Sequence, residues 1–263
     1  TSEIIRALKD NIEGLRVDHR IHARFDMTYT DAIGALDGLL TSGAVDLVSV
    51  MDHTPGQGQY RDLEKLVAYR SNGQGVSLDE ARAHIEERIA AAVPAQQVLD
   101  NLERVSHLCQ NHGVAMASHD DDTVAKAHLM ADIGAVISEF PVTMEAAEAA
   151  AARGLMIAMG APNAMRGQSY SGNLSARDAH AAGVLSILAA DYHPAAIIPA
   201  IMALAEQDAN GLAGAARLAT ANPARALGLT DRGEITVGKR ADLVLIDPDG
   251  RVALTLREGQ TIY

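Results

Sequence analysis

The sequence predicts an α/β protein with a parallel sheet, followed by a small all-β unit. Six short apolar segments, near residues 17, 47, 115, 136, 156 and 186, alternate with helical segments, as in parallel sheets. The six repeats occupy about 210 residues, or about 35 each, a size that suits β/α units. After Gly228 the pattern changes to short strands separated by turns.

Two architectures fit this alternation. A closed eight-stranded barrel needs two units more than the six found, whereas an open six-stranded sheet needs none. The nucleotide-binding form of the open sheet is disfavoured, because no glycine-rich dinucleotide fingerprint follows any strand. From the residue pattern alone, both architectures remain open.

The individual elements follow from periodicity and from helix-end signals. Leu15–Asp26 alternates apolar and polar residues and predicts a first strand with one polar face. Ser77 and Glu80 form a capping-box pattern, Gly113 is a helix stop and Thr123 opens a helix. The other predicted helices are Glu3–Ile12, Asp31–Leu39, Arg61–Arg70, Ser77–Ala92, Val98–His112, Met144–Arg153, Ala195–Gln207, Ala213–Ala219 and Asn222–Gly228.

The stretch from Met156 to Pro194 predicts an anion-binding loop between two strands. Strand Leu155–Met159 ends at Gly160, and the second apolar run ends at Asp191. The intervening loop carries amides, hydroxyls and one guanidinium that suit phosphate oxygens: Asn163, Arg166, Ser171 and Asn173. An ordinary surface loop followed by a helix-capping aspartate is the alternative.

Composition excludes several classes of function. A net charge of −12 disfavours a nucleic-acid surface or an anionic membrane surface. The single cysteine excludes a disulfide framework and a cysteine metal cage. The sequence contains no run of about 18 apolar residues, the length that a membrane-spanning helix needs. We therefore expect a cytoplasmic protein that binds neither membranes nor nucleic acid.

Polar residues recur where the predicted strands end. They are Asp26, Asp52 or His53, His119, Glu139 and Asp191. Because parallel strands bring their carboxyl ends to one edge, these side chains are expected to converge. Histidine and carboxylate without thiolate are typical ligands of zinc, manganese and similar ions in hydrolytic sites. Each residue alone could be no more than a helix cap.

The tail segment Gly233–Asp247, with Asn222–Ala224 before it and Asp191, resembles the C-terminal signature of the amidohydrolase superfamily. Within it, further segments resemble the phosphonate-metabolism members, the PhnM type: His19–Arg24, Met51–Gly58, Ser118–Asp121, Gly160–Gly167 and Ser171–Asn173. The resemblance covers nearly the whole chain.

The resemblance implies a (β/α)₈ TIM-type barrel, of which the last six units are present, joined to part of a β-sandwich. It divides the chain into a barrel over 1–228 and the C-terminal part of a sandwich over 229–263. The implied reaction converts α-D-ribose 1-methylphosphonate 5-triphosphate to the 5-phosphate and pyrophosphate, beside carbon–phosphorus lyase. The implied cofactor is one or two divalent ions.

The resemblance also implies roles for individual residues. Asp191 is expected to be the general base and a metal ligand; His119, Asp26 and His53 are the other expected ligands. Arg24, Asn163, Arg166, Ser171 and Asn173 are expected to bind the phosphates or phosphonate of the substrate. A dimer is expected.

The sequence departs from the family pattern at several positions. No His-X-His pair precedes Leu15, and His19 and His22 are three residues apart, which places them on opposite strand faces. Tyr170 interrupts an expected Ser-His-Ser-Gly-Asn run, and Asp26 replaces an expected glutamate. We therefore expect the complete protein to contain about a hundred more N-terminal residues, of which about 70 would form two barrel units. The alternatives are a deaminase or cyclic-amide hydrolase of the same superfamily, and a non-catalytic paralogue.

Overall fold

The computed structural model describes residues 2–12, 14–169 and 172–263 and contains two separate sheets. The larger sheet consists of β1 His22–Asp26, β2 Leu47–Met51, β3 Ala115–His119, β4 Ile137–Glu139, β5 Met156–Gly160 and β6 Leu185–Ala189. The smaller consists of β7 Leu243–Ile246, β8 Val252–Arg257 and β9 Gln260–Thr261.

All neighbours in the six-stranded sheet are parallel, and their order is β1-β2-β3-β4-β5-β6. Each strand therefore pairs with the next one in the sequence, and the order never reverses. A doubly wound sheet has a reversal point, whereas a β/α barrel wall does not. The sheet is six consecutive strands of a barrel wall, as predicted.

The helices connect and cover these strands. They are α1 Ser2–Asp10, α2 Ile33–Thr41, α3 Leu63–Gln74, α4 Leu78–Ala90, α5 Ala95–His112, α6 Val124–Asp132, α7 Met144–Ala152, α8 Ala161–Arg166, α9 Ala176–Ala181, α10 Ile197–Ala205, α11 Gly211–Arg217 and α12 Ala221–Ala226. Ser77 and Glu80 form the predicted capping box of α4, and Gly113 ends α5 at φ +64°.

The two faces of the large sheet pack differently. The main core, which includes Val48, Leu102 and Ile157, contains residues of both the strands and the covering helices. A smaller cluster on the other face includes Ala117 and Ile187 and is closed by Ala226 of α12. That inner face is the barrel interior, and its carboxyl edge is left for polar side chains.

The predicted boundaries were wrong at two places. β1 begins at His22, because the residues before it make polar contacts with other parts of the chain: Arg20 bonds Asp46, and Asp18 bonds Arg232. The predicted loop after Gly160 instead opens with α8, for which Pro162 in the first turn supplies a suitable φ.

The antiparallel sheet confirms the predicted tail hairpin, since β7 pairs with β8 and β8 with β9. Arg257 Nη1 donates to the Leu15 carbonyl at 2.6 Å, which fixes the tail to the start of the chain. The side chains of Ile235 and Val237 are fully exposed beside this sheet. In the part of the chain that the structure describes, no helix is both long and apolar enough to cross a membrane.

Candidate active site

The carboxyl ends of the barrel strands surround a cavity of about 300 Å³. Arg24 of β1, His119 of β3 and Gly160 of β5 contribute to its wall, and Asp191 follows β6. The α8–α9 region adds further polar groups: Asn163, Arg166, Ser169 and Asn173. Residues far apart in the sequence are thus brought together at one edge of the sheet.

His119 is oriented by a half-buried carboxylate. Its side chain is 5% exposed, and its Nδ1 lies 2.8 Å from Glu139 Oε2. Because a carboxylate only accepts hydrogen bonds, Nδ1 is the ring nitrogen that donates; in the tautomer with a single proton on Nδ1, Nε2 keeps a lone pair. Nε2 lies 3.6 Å from Asp120 Oδ2 and 3.4 Å from Arg24 Nη2.

The Glu139 carboxylate is stabilised in its charged form. Burial alone would raise its pKa, but the hydrogen bond from His119 and the nearby charges of His119, His22 and Arg24 lower the pKa below its ordinary value. Glu139 is therefore a fixed negative charge behind the ring, the arrangement that strengthens histidine as a metal ligand.

Asp26 and His53 form a second acid–histidine pair, with Asp26 Oδ2 2.9 Å from His53 Nδ1. The hydrogen bond to Asp26 raises the pKa of His53, and burial only partly offsets it. Burial would raise the pKa of Asp26, but the hydrogen bonds from His53 and Thr28 lower it below its usual value.

Asp120 lies between these two pairs. Burial raises its pKa, and the charges of His119, Lys126 and His53 partly oppose that shift. Its backbone has φ +52°.

The two aspartates that follow, Asp121 and Asp122, have structural partners instead. Asp121 is fully buried and accepts hydrogen bonds from Ser118 and Ser138. Asp122 Oδ2 accepts from the Gly58 amide at 3.0 Å.

Left-handed backbone conformations recur at three strand ends. Asp120, Phe140 and Asp191 have φ of +52°, +57° and +52°, and each follows a barrel strand within two residues. For a residue other than glycine this conformation costs about 1–2 kcal/mol, and such strain concentrates at functional sites. Its recurrence here supports a functional role for this edge.

The residues predicted to bind phosphate have different environments. Arg24 and Asn173 line the cavity, whereas Ser171 lies outside the described residues. Arg166 also lines it, and its Nη1 donates to the Tyr192 hydroxyl at 2.7 Å. Asn163 borders the cavity but bonds the backbone through both polar atoms, to the Leu174 carbonyl and the Ala176 amide.

The predicted metal ligands are distributed over two places. His119 and Asp191 border the cavity, and Asp26 and His53 bond each other. Within residues 2–12, 14–169 and 172–263, no three His, Cys, Asp or Glu side chains are arranged to hold an ion. The donor chemistry of His119 Nε2 suits a divalent metal, but catalytic zinc usually takes three protein ligands. The candidate ligands among the described residues are therefore not gathered into one site.

Sequence reasoning missed several groups of this cavity. Asp120 directly follows His119, and Tyr192 directly follows Asp191, so adjacency could have indicated both. Glu139 was found at a strand end, but its contact with His119 was not foreseen. Gln59 lies in the short 3-10 helix Gly58–Tyr60, for which the sequence carries no recognisable signal.

The barrel order and the strand-end site define the class of this protein. Residues 20–262 match the model of the amidohydrolase family, and the chain belongs to that family. Enzymes of this family generally use divalent metal ions.

One curated relative is the α-D-ribose 1-methylphosphonate 5-triphosphate diphosphatase of Escherichia coli (strain K12), which is 42% identical over 233 residues. The alignment covers 88% of this chain and 61% of the relative, so the chain spans less than two thirds of that protein's length.

Solved structures confirm the fold at lower identity. N-acetylglucosamine-6-phosphate deacetylase from Pasteurella multocida superposes with a TM-score of 0.53 at 13% identity, covering 98% of this chain and 80% of that one. A 5-methylcytosine deaminase from Klebsiella pneumoniae gives a TM-score of 0.50 at 17% identity, covering 100% and 75%. At such identities the likeness concerns the barrel fold alone.

Proposed function

We propose that this chain carries catalytic-site residues of a phosphoanhydride hydrolase. The substrate would be α-D-ribose 1-methylphosphonate 5-triphosphate, and the products the 5-phosphate and pyrophosphate. The observation that carries this proposal is the 42% identity to the E. coli diphosphatase over 88% of the chain. Four of the five predicted phosphate-binding residues also border one cavity.

The charges at the cavity support an anionic substrate. The protein as a whole is acidic, with a net charge of −12, yet Arg24 and Arg166 both face this space. Guanidinium groups bind phosphate oxygens through paired N–H donors. These two guanidinium groups would therefore attract a phosphorylated sugar locally, although the net negative charge of the protein repels it.

Asp191 is proposed to accept the proton of the attacking water. It borders the cavity, is exposed to solvent and follows β6 directly after Ala190. Its left-handed backbone, at φ +52°, turns the chain where the strand ends. A carboxylate within hydrogen-bond reach of a water can act as a general base at neutral pH.

The proposed metal ligands are His119, Asp26, His53 and Asp191, with Glu139 holding His119 in the tautomer that leaves Nε2 unprotonated. One or two divalent ions, when bound, would lower the pKa of water and neutralise phosphate charge.

Phosphate and phosphonate groups are proposed to contact Arg24, Arg166, Ser171 and Asn173. Asn163 is proposed to shape the loop instead, since its side chain bonds the Leu174 carbonyl at 3.2 Å and the Ala176 amide at 3.0 Å. We propose the same division of the chain as before, a barrel over 1–228 and part of a sandwich over 229–263.

Deamination or hydrolysis of a cyclic amide is the second candidate, because the family resemblance of the sequence leaves these reactions open as alternatives. The test supplies the purified protein with Zn²⁺ or Mn²⁺ and measures pyrophosphate released from the ribose 5-triphosphate, beside ammonia or acid released from a panel of amides. Release of pyrophosphate supports the proposal. Turnover of an amide alone would favour the second candidate. No turnover and no metal bound would favour a non-catalytic protein.

A further inference from the structure

The connection between β2 and β3 carries an addition to the barrel plan. It contains three helices, α3, α4 and α5, whereas the connection from β3 to β4 contains α6 alone. Helices α3 and α4 form a hairpin with its own small core of Leu66, Val67, Ala81 and Ile85. We call residues 54–92 the α3–α4 hairpin.

The base of this hairpin is fixed beside the cavity. The Gly58 amide donates to Asp122 Oδ2 at 3.0 Å, and a Cβ on Gly58 would lie only 2.9 Å from Asp120 Cβ. Arg88 of α4 donates to the His53 carbonyl at 3.1 Å. The hairpin is therefore attached to the segments that follow β2 and β3, which carry the candidate metal ligands.

The hairpin contributes to the cavity wall and also lies close to the α8–α9 loop. Gln59 lines the cavity. Lys65 lies in the first turn of α3, and its ammonium group is close to Gly172. A Cβ on that glycine would lie 3.9 Å from Lys65 Nζ. The neighbouring Asn173 lines the same cavity.

Lys65 is available for an incoming anion. Its side chain is 70% exposed and lies 3.5 Å from Asp62, an i,i+3 contact. Exposed pairs of this kind are worth little, so exchanging Asp62 for a phosphate oxygen costs little. Asp62 also accepts a hydrogen bond from the Lys65 amide, as the cap of α3.

We propose that Lys65 is a specificity residue for polyphosphates, and that it binds the phosphate groups farthest from the reacting centre. This inference rests on the proposed function, since a triphosphate has distal groups and a monophosphate has none. Arg24 and Arg166 border the cavity itself, and Lys65 adds a third positive charge beside Gly172, the neighbour of the cavity-lining Asn173. A compact, mobile ammonium group suits the terminal oxygens of a flexible chain.

The test measures affinity by calorimetric titration of the purified protein with inorganic tripolyphosphate and, separately, with orthophosphate. The variants are Lys65→Gln, which removes the charge, and Lys65→Arg, which keeps it. Lys9→Gln is the matched control, because Lys9 is equally a surface lysine but lies on α1, which contributes nothing to the cavity. Thermal melting confirms that each variant is folded.

We expect the unmodified protein to bind tripolyphosphate more tightly than orthophosphate. Lys65→Gln should weaken the affinity for tripolyphosphate about threefold to tenfold, the size of one exposed charge-assisted contact. The affinity for orthophosphate should change less than about twofold. Lys65→Arg should restore most of the affinity. The inference would be overturned if Lys65→Gln weakened the affinity for both ligands equally, or if Lys9→Gln caused the same loss of affinity. It would also be overturned if the unmodified protein showed no preference for tripolyphosphate.

Activity separates this inference from the proposed reaction. If the protein hydrolyses the ribose 5-triphosphate, Lys65→Gln should raise KM with little change in kcat. If it releases no pyrophosphate but Lys65→Gln still weakens tripolyphosphate, the reaction is wrong and the polyphosphate site stands. Normal turnover with an unchanged KM in Lys65→Gln would refute the role of Lys65 and leave the reaction intact.

Discussion

At the scale of single residues, two carboxylates near the cavity have different surroundings. Glu139 is half-buried against His119 and has a pKa below its ordinary value, so it stays charged and orients the ring. Asp191 is exposed at the cavity wall, where a substrate and its attacking water can reach it. This difference in exposure supports the proposed positioning role of Glu139 and the proposed proton-transfer role of Asp191.

Glu139→Gln should weaken divalent-metal binding about tenfold to a hundredfold, because the amide can still accept a hydrogen bond but removes the negative charge behind His119. Titration with Zn²⁺ or Mn²⁺ measures this loss. Glu145→Gln, on the exposed surface of α7, is the control. An affinity for metal equal to that of the control would show that His119 is not a ligand.

Asp191→Asn should leave folding intact and reduce pyrophosphate release about 10²–10⁴-fold, the usual loss when a general base is removed. The assay is run beside Asp178→Asn, an exposed aspartate of α9. If turnover by Asp191→Asn matches the control, Asp191 has only a structural role.

At the scale of elements, sequence periodicity located the strands better than it located short helices. Each predicted strand near residues 47, 115, 136, 156 and 186 overlaps an observed strand. Helices α8 and α9 have only six residues each, too few for a 3.6-residue period to show. The start of β1 was misplaced because Asp18 bonds Arg232, a contact between residues 214 positions apart.

The site residues, like the strands, were predicted only where a local sequence pattern marks them. His119 and Asp191 were found because strand ends are visible in the sequence and strand order brings them together. Gln59 and the His119–Glu139 contact depend on how neighbouring segments pack, which no local pattern records.

The attachment of the α3–α4 hairpin makes a prediction at this scale. Gly58 and Gly75 both have positive φ, at +52° and +68°, but a Cβ on Gly58 meets Asp120 whereas a Cβ on Gly75 meets open space. Gly58→Ala should therefore destabilise the fold by about 1–3 kcal/mol more than Gly75→Ala. Urea unfolding measures both. Equal losses would show that the hairpin base adapts to the extra methyl group.

At the scale of the whole molecule, the tail is fixed to the start of the chain by charged groups. Asp18 accepts hydrogen bonds from Arg232 at 2.8 Å and Arg240 at 3.3 Å. The hydrogen bond from Arg232 holds the pKa of Asp18 below its usual value, and the nearby arginine charges lower it further.

This shift predicts acid sensitivity. Because the pKa of Asp18 is lower in the folded state than in the unfolded state, the stabilisation is complete above the unfolded value of about 3.9 and lost as pH falls through the folded value. Asp18→Asn should cost roughly 0.5–1 kcal/mol at pH 7 and nothing once Asp18 is protonated. Urea midpoints from pH 7 down to pH 2 check this, with Asp249→Asn as the control. A loss that persists in acid would show that the effect is not electrostatic.

The tie between the tail and residues 15–18 has a consequence for how the chain folds during synthesis. Each barrel strand pairs with its immediate successor, so the sheet can grow one unit at a time as the polypeptide leaves the ribosome. The Arg257–Leu15 contact joins residues 242 positions apart, and closing such a loop costs about 5 kcal/mol of chain entropy when nothing between them is ordered. The assembled sheet removes most of that cost in advance. The tail therefore docks last, and a nascent chain stalled before Arg232 would hold the barrel strands without the contacts that close the molecule.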